Sequence, residues 1–481
     1  MKRSLILFLL PAALMAQQTR PPANLSSKES REHAEKLIAD IPSTPIRFAP
    51  PPVRQTTLPS GATMLVTEEK SLPFLTVELH FKGGNSLEKV DHAGLWDAAT
   101  SLLAVDGAGS RSGDEIAEEM SRLGARFSIR GDHESWVVSI TALKWNFPKA
   151  FAIVSDILLK PKLSEERLAV ILDGMETDID QRNNRPESIA GRRLLEVMYP
   201  NSRRGYVLQK TDLKKITPQL IREDLNRRLY APGVIVACAG DVSSVPVESM
   251  VNGLLAQFPA KSAQEQIQKP AGAPLLAGKI LLVTAEVPQA SVAMGTILPG
   301  HSSEDFYALQ VANHILGGNS FNSRLMKEVR TARGLAYYSM SRTTFFKDDG
   351  RLTAASGTRS EQANETVKLM LEIIGGMRQP ADAVELNLAR ESILNSLVFL
   401  YDDPESFLQS QVRFKLHGMP DDYLARYADH IRALTAEDVS RAYARHVHSD
   451  MTIVVVGPKS LAPELQKIRP VVMVTPEGKL P

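Results

Sequence analysis

The sequence predicts an α+β protein of two tandem homologous α/β sandwich domains, each a mostly antiparallel sheet of about six strands with helices on one face. Three landmarks that repeat at one spacing predict the duplication. Pro186-Glu187-Ser188 returns as Pro404-Glu405-Ser406, and Ile216-Thr217-Pro218 returns as Leu434-Thr435-Ala436, both 218 residues on. The apolar run that ends at Gly240 answers to Ile453-Val454-Val455-Val456 ending at Gly457, 217 residues on. So long a period rules out a solenoid and fits a duplicated domain of about 200 residues. Element order agrees: strands, a helix, strands, long helices and one last strand recur in each copy.

At the N-terminus, Lys2 and Arg3 precede an apolar run from Leu5 to Ala16, followed by Gln17 and Gln18. A charged start, a short apolar stretch and a small residue at the junction read as an export signal over 1–16. The run is shorter than the roughly 20 residues a membrane span needs, and Pro11 interrupts it. Export implies a periplasmic or extracellular protein, and no later segment is apolar enough to span a membrane. Residues 17–55, rich in Pro, Ser and charge, read as an extended segment with one short amphipathic helix near Ser27–Ile41.

The first domain is placed at 56–256. Thr56–Leu58 and Ala62–Val66, joined by Pro59-Ser60-Gly61, form a hairpin signal, and Leu75–Phe81 is a third strand. Ser112 and Glu115 form a capping box that opens a helix with Ile116, Met120 and Leu123 on one face, and Gly124 can end it. A strand over Ser135–Ala142 is followed by helical patterns over Pro148–Leu159, Leu163–Asp180 and Arg185–Val197. An Ala-, Gln-, Pro- and Gly-rich linker over 257–279 leads into the second domain at 280–470.

Composition narrows the function. Hydrophobic residues make up 43% and charged residues 23%, the profile of a globular protein. Lys plus Arg is 56 against 55 for Asp plus Glu, an even balance that argues against a nucleic-acid partner. The one cysteine, Cys238, lies inside the apolar run Val234–Ala239 and reads as a small core residue. With it go disulfides, a thiolate metal cluster and a lipid-anchoring cysteine near the signal junction. His446 and His448 are the one close histidine pair and read as exposed residues before a strand. His92 and His133 are isolated and read as surface or helix-cap residues.

Two stretches carry a resemblance. The first is His92-Ala93-Gly94-Leu95-Trp96-Asp97-Ala98-Ala99-Thr100-Ser101, with Gly107 and Arg111-Ser112 after it. The second is Ser320-Phe321-Asn322-Ser323-Arg324-Leu325 and then Glu328-Val329-Arg330-Thr331-Ala332-Arg333-Gly334-Leu335-Ala336-Tyr337, with Pro288-Gln289-Ala290 before them. Over about 55–460 the chain resembles the insulinase/pitrilysin family of inverted-motif zinc peptidases, which includes the mitochondrial processing peptidase. In active members the first stretch carries His-x-x-Glu-His, two imidazoles one helical turn apart for zinc with a glutamate base between them. Aligned on Gly94-Leu95-Trp96, those positions are Asp97, Thr100 and Ser101. The family's third ligand, a glutamate after a Val-Ile-Leu-like run, falls on Gly174. The resemblance therefore implies a family member with no metal of its own.

The resemblance also implies that Arg330 and Tyr337 match an Arg/Tyr pair that reaches the substrate beside the zinc. A guanidinium and a phenol at the carbonyl oxygen of a scissile peptide would stabilise the oxyanion formed on attack. Some family members are heterodimers in which one chain holds zinc and the other supplies this pair. The expectation is thus one half of a clamshell, whose zinc-bearing homologous partner would join it around a peptide or unfolded polypeptide added as an extra strand at a sheet edge. The competing expectation is a non-catalytic scaffold or peptide-binding pseudo-peptidase, as zinc-free core subunits of a respiratory complex are. An unrelated activity on the same fold is the third.

Overall fold

The computed structural model describes residues 51–260, 273–319, 321–401 and 403–479. The expected signal over 1–16, the helix near Ser27–Ile41, nearly all of the 17–55 segment and the middle of the linker lie outside the described residues. So does Ser320.

The first copy runs β1 (Arg54–Thr57), β2 (Thr63–Glu68), β3 (Phe74–Lys82), α1 (Leu95–Val105), α2 (Gly113–Arg122), β4 (Arg126–Gly131) and β5 (Ser135–Leu143). It continues with α3 (Phe147–Leu159), α4 (Glu165–Gln181), α5 (Pro186–Met198), α6 (Pro218–Arg228), β6 (Ile235–Gly240) and α7 (Val247–Leu255). The second copy begins with β7 (Ile280–Thr284), β8 (Gln289–Pro299) and α8 (Phe306–Asn313), then two π-helical segments, His314–Gly318 and Met326–Ala332. It closes with β9 (Ala336–Phe345), β10 (Asp349–Arg359), α9 (Ala363–Gly376), α10 (Ala383–Tyr401), α11 (Pro404–Leu416), α12 (Tyr423–Ala433), α13 (Ala436–His446), β11 (Thr452–Gly457) and β12 (Val471–Val474).

Local chemistry sets these boundaries. Gly61, at φ +81°, makes the turn between β1 and β2. At α2, Ser112 Oγ accepts from the Glu115 amide at 3.2 Å and Glu115 Oε2 from the Ser112 amide at 2.7 Å. Thr435 and Asp438 form the same box at α13. Pro186 and Pro404 each take the first helical position, where proline's missing N–H costs nothing. The repeated Pro-Glu-Ser is thus a helix start.

The sheets run β1-β2-β6-β3-β5-β4 and β12-β7-β11-β8-β10-β9. Five places correspond between the copies: β2-β6-β3-β5-β4 matches β7-β11-β8-β10-β9. In each, one parallel pair, β2 with β6 and β7 with β11, sits in an otherwise antiparallel run. The sixth strands differ, since β1 is antiparallel to β2 whereas β12 is parallel to β7.

Each copy packs its own helices on one face of its sheet. The opposite face takes a helix from the other copy. From α5, Ile189, Leu194, Val197 and Met198 pack on Leu281, Val283, Ala293, Val454 and Val456 of the second sheet. From α11, Leu408 and Val412 pack on Leu65, Ile235 and Ala237 of the first. Gly295 leaves room for this crossing, because a Cβ there would lie 2.5 Å from Met198 Sδ. The exchanged helices are the two that carry the repeated Pro-Glu-Ser.

A polar network joins the copies beside the crossing. Arg204 Nε donates to His133 Nε2 at 2.7 Å, and His133 Nδ1 lies 2.8 Å from Asn85 Oδ1, so a neutral ring satisfies both contacts. Arg204 also pairs with Asp349, and its guanidinium carbon stands 3.6 Å from the centre of the Phe346 ring. Glu134 meets His417 at 3.3 Å. Half-buried His133 is therefore a junction residue, not the surface or cap residue expected. His446 likewise ends α13 and bonds Asp305 at 2.7 Å rather than preceding a strand unpartnered.

Two predictions follow from this architecture. All three tryptophans, Trp96, Trp136 and Trp145, lie in the first copy, so their fluorescence reports that copy while far-ultraviolet circular dichroism reports both. The exchanged helices tie the copies together, and the two signals are expected to give one coincident urea transition. Leu408→Ala, although in the second copy, is expected to lower the fluorescence midpoint through a loss of about 2–4 kcal/mol. Separate transitions would show that the copies unfold independently. Second, burial and then the Arg204 charge hold His133 down to about 4 from 6.5, with Glu134 opposing and Arg203 and Arg351 assisting. The unfolded chain binds this proton below pH 6.5 and the folded chain only near 4, so stability falls as pH drops across that window, by up to about 3 kcal/mol. His133→Gln is expected to flatten that part of a stability-versus-pH curve.

Candidate functional site

The positions aligned with the family's metal motif lie on α1 and α4. Gly94, at φ +85°, precedes α1, and the Trp96 amide is held by the fully buried side chain of Glu88. Arg203 pairs with Glu88 at 2.5 Å and reaches the half-exposed Asp97 carboxylate at 3.8 Å. Burial pushes the Glu88 carboxyl up, against the pull of Arg203. Buried Thr100 donates to the Trp96 carbonyl at 3.0 Å, inside its own helix, and Ser101 is exposed. Gly174 lies on α4, and its neighbour Met175 reaches to within 3.4 Å of where a Cβ on Gly94 would sit. A side chain on Gly174 would meet nothing within 4 Å, so space for a ligand exists where the atoms do not.

This set does not fit a zinc ion. One carboxylate facing an arginine, two hydroxyls and a hydrogen supply none of the imidazole or unpaired carboxylate donors that zinc takes. Among the described residues, no group of three or more His, Cys, Asp or Glu is placed to hold a metal. The Cys238 thiol is buried, which pushes it up to about 12, as suits a core residue.

Arg330 and Tyr337 lie in the second copy, on segments joined by one turn. Arg330 sits near the end of the π-helical segment Met326–Ala332, a rare geometry associated with functional positions. Its Nη1 lies 3.8 Å from Met326 Sδ, and no carboxylate pairs with it among the described residues. The Gly334 amide closes the turn on the Arg330 carbonyl at 3.0 Å, and Gly334 has φ +60°. Thr358 Oγ1 then ties down the Leu335 carbonyl at 2.6 Å.

Tyr337 follows on β9, the outermost strand of its sheet. Opposite β10, Gly357 faces Tyr338 while Thr358 faces Ala336, which leaves Tyr337 as the extra residue of a β-bulge. A bulge re-aims a side chain, and Tyr337 is 52% exposed as a residue. Its ring centre is 5.0 Å from that of Tyr338, edge to face. A Cβ on Gly357 would lie 2.5 Å from the Tyr337 phenol oxygen, so the missing side chain is the seat of that phenol. No hydrogen bond, ion pair or ring contact among the described residues links this pair to the α1–α4 positions. The Glu88–Arg203 brace, the bulge and the Gly357 seat were not foreseen from the sequence.

A profile described as Insulinase (Peptidase family M16) matches residues 64–212, and one described as Peptidase M16 inactive domain matches 215–393. The chain belongs to this insulinase-type peptidase family. It is 26% identical over 426 residues to an uncharacterised zinc protease of Streptomyces coelicolor, covering 84% of this chain and 90% of that one. It is 24% identical over 400 residues to an uncharacterised zinc protease of Mycobacterium tuberculosis, covering 82% and 91%. Among solved structures, a peptidase M16 inactive domain from Pseudomonas fluorescens superposes with a TM-score of 0.77 at 23% identity, over 85% of this chain and 98% of that one. The periplasmic protease PqqL of Escherichia coli superposes with a TM-score of 0.71 at 15% identity, over 90% of this chain and 51% of that one. No helix among the described residues is long and apolar enough to cross a membrane.

The seat of Tyr337 can be tested directly. Gly357→Ala is expected to displace the ring and cost about 1–3 kcal/mol in urea denaturation. Adding Tyr337→Ala should return part of that loss, because the new methyl then finds room on one side. Purely additive losses would show that Gly357 and Tyr337 do not share the space.

Proposed function

We propose that this chain is the zinc-free subunit of an exported heterodimeric metallopeptidase, in which Arg330 and Tyr337 act on a peptide held against a homologous, zinc-bearing chain. The observation that carries this reading is the state of the pair: a guanidinium with no carboxylate partner among the described residues and a half-exposed tyrosine on a bulge, on either side of a glycine turn. A structural arginine would be expected to be paired, and a core tyrosine buried.

The zinc chemistry would come with the partner. This chain would contribute binding and electrostatics: β9, as an edge strand, offers unpaired backbone groups to an extended peptide. Arg330 and Tyr337 would donate to the carbonyl oxygen as it gains negative charge. The arrangement favours a donor role over general acid–base work, because a guanidinium does not release its proton near neutral pH.

The test mixes this chain with a homologous chain carrying His-x-x-Glu-His and follows cleavage of unstructured peptides. Cleavage is expected from the mixture and not from this chain alone. Arg330→Ala and Tyr337→Phe are each expected to lower kcat by about 10²- to 10³-fold, the usual effect of losing one oxyanion donor. Cleavage by the mixture that both substitutions leave untouched overturns the reading in favour of a non-catalytic, peptide-binding scaffold.

A further inference from the structure

We propose that the cavity between the two copies binds an organic carboxylate with a compact apolar body. The cavity encloses about 640 Å³, within the range of small-ligand sites. Its floor is the part of the first sheet's outer face beyond α11, where Arg130, Val137 and His80 lie side by side across β4, β5 and β3. One wall is the last two turns of α11, whose Gln409, Val412, Arg413 and Leu416 share a face at helical spacing. The other is the β9–β10 hairpin of the second copy, with Phe346 in its turn and Arg351 on β10.

The acids of this cavity are already engaged. Asp132 accepts from the amides of Glu134 at 2.8 Å and Ser135 at 2.6 Å, and from the Ser135 hydroxyl at 2.9 Å. Glu134 faces His417 at 3.3 Å and Arg204 at 3.9 Å, and His80 is bonded to Glu78 at 2.8 Å. Arg130 and Arg413 are different: among the described residues neither side chain makes an ion pair or a hydrogen bond. Arg351 adds a third guanidinium, 5.5 Å from the centre of the Phe346 ring.

Two unspent guanidinium groups therefore share a concave space with Val137, Val412, Leu416 and Phe346. The planar fork of arginine matches a carboxylate with two parallel hydrogen bonds. The apolar walls reward a ligand that brings a hydrocarbon body with its charge. Inorganic phosphate would satisfy the arginines and leave those walls bare. The site is separate from the Arg330/Tyr337 pair and stands whether or not that pair is catalytic.

Isothermal titration calorimetry on the full chain tests this with three probes: N-acetyl-leucine, N-acetyl-leucinamide and inorganic phosphate. The acid is expected to bind, with the amide and phosphate each weaker by at least about tenfold. Arg130→Ala and Arg413→Ala are each expected to weaken the acid by about tenfold, with Arg413→Lys intermediate. Both arginines are exposed, and thermal melts of the variants establish that they fold. No binding of N-acetyl-leucine, equal binding of acid and amide, equal binding of phosphate, or indifference to both alanine variants would each overturn the proposal.

Discussion

The reciprocal packing of α5 and α11 is the constraint on which the rest of the fold depends. A strand apolar on both sides needs cover on both, and each copy supplies its own helices to one side only. The run Ile453–Val456 is buried throughout and feeds the second sheet's own core with Ile453 and Val455 while Val454 and Val456 meet α5. Without the foreign helix, half of that run would face water. The crossing also explains where the cavity lies, since Leu408 and Val412 of α11 pack on β2 and β6, and Gln409 reaches Glu78 at the neighbouring β3.

Much of this was legible because it depends on near neighbours in the chain. The Ser112–Glu115 box, the Gly61 turn and the alternating burial of β5 each follow from a few consecutive residues. The duplication was legible from spacing alone. One signal was present and its meaning went further than the reading: unbroken apolar runs such as Val234–Ala239 and Ile453–Val456 lack the alternation of a strand with one wet face. They announced two-sided burial. They could not announce that the cover comes from 173 residues away between Ile235 and Leu408, and 257 between Val197 and Val454, because nothing local records a long-range partner.

The candidate site divides the same way. The assignment of Asp97, Thr100, Ser101 and Gly174 rests on residue identity alone: a carboxylate and a hydroxyl stand where the resemblance implies imidazoles, and a hydroxyl and a bare hydrogen where it implies glutamates. Arg330 and Tyr337 could be named from their motif, but not what holds them. A π-helical segment, a bulge and a missing side chain at Gly357 are departures from regular structure that a periodic reading averages away. They gather at Arg330 and Tyr337, which accords with the role proposed for that pair. His133 was misjudged for a related reason: its environment is Arg204, Asn85 and Phe346, none adjacent in sequence.

The crossed helices also bear on what half of this chain could be. Cut between the copies, either fragment would keep one finished face and one stripped face, along with an apolar helix that has no sheet to rest on. Each fragment would hold both a vacancy and the piece that fills it, so two identical halves could complete each other by a two-fold exchange. Such a pair would have the plan of the present monomer, with a covalent link in place of symmetry. That link frees the halves to diverge, so that Arg330 and Tyr337 stand in one copy and Asp97, Thr100, Ser101 and Gly174 in the other.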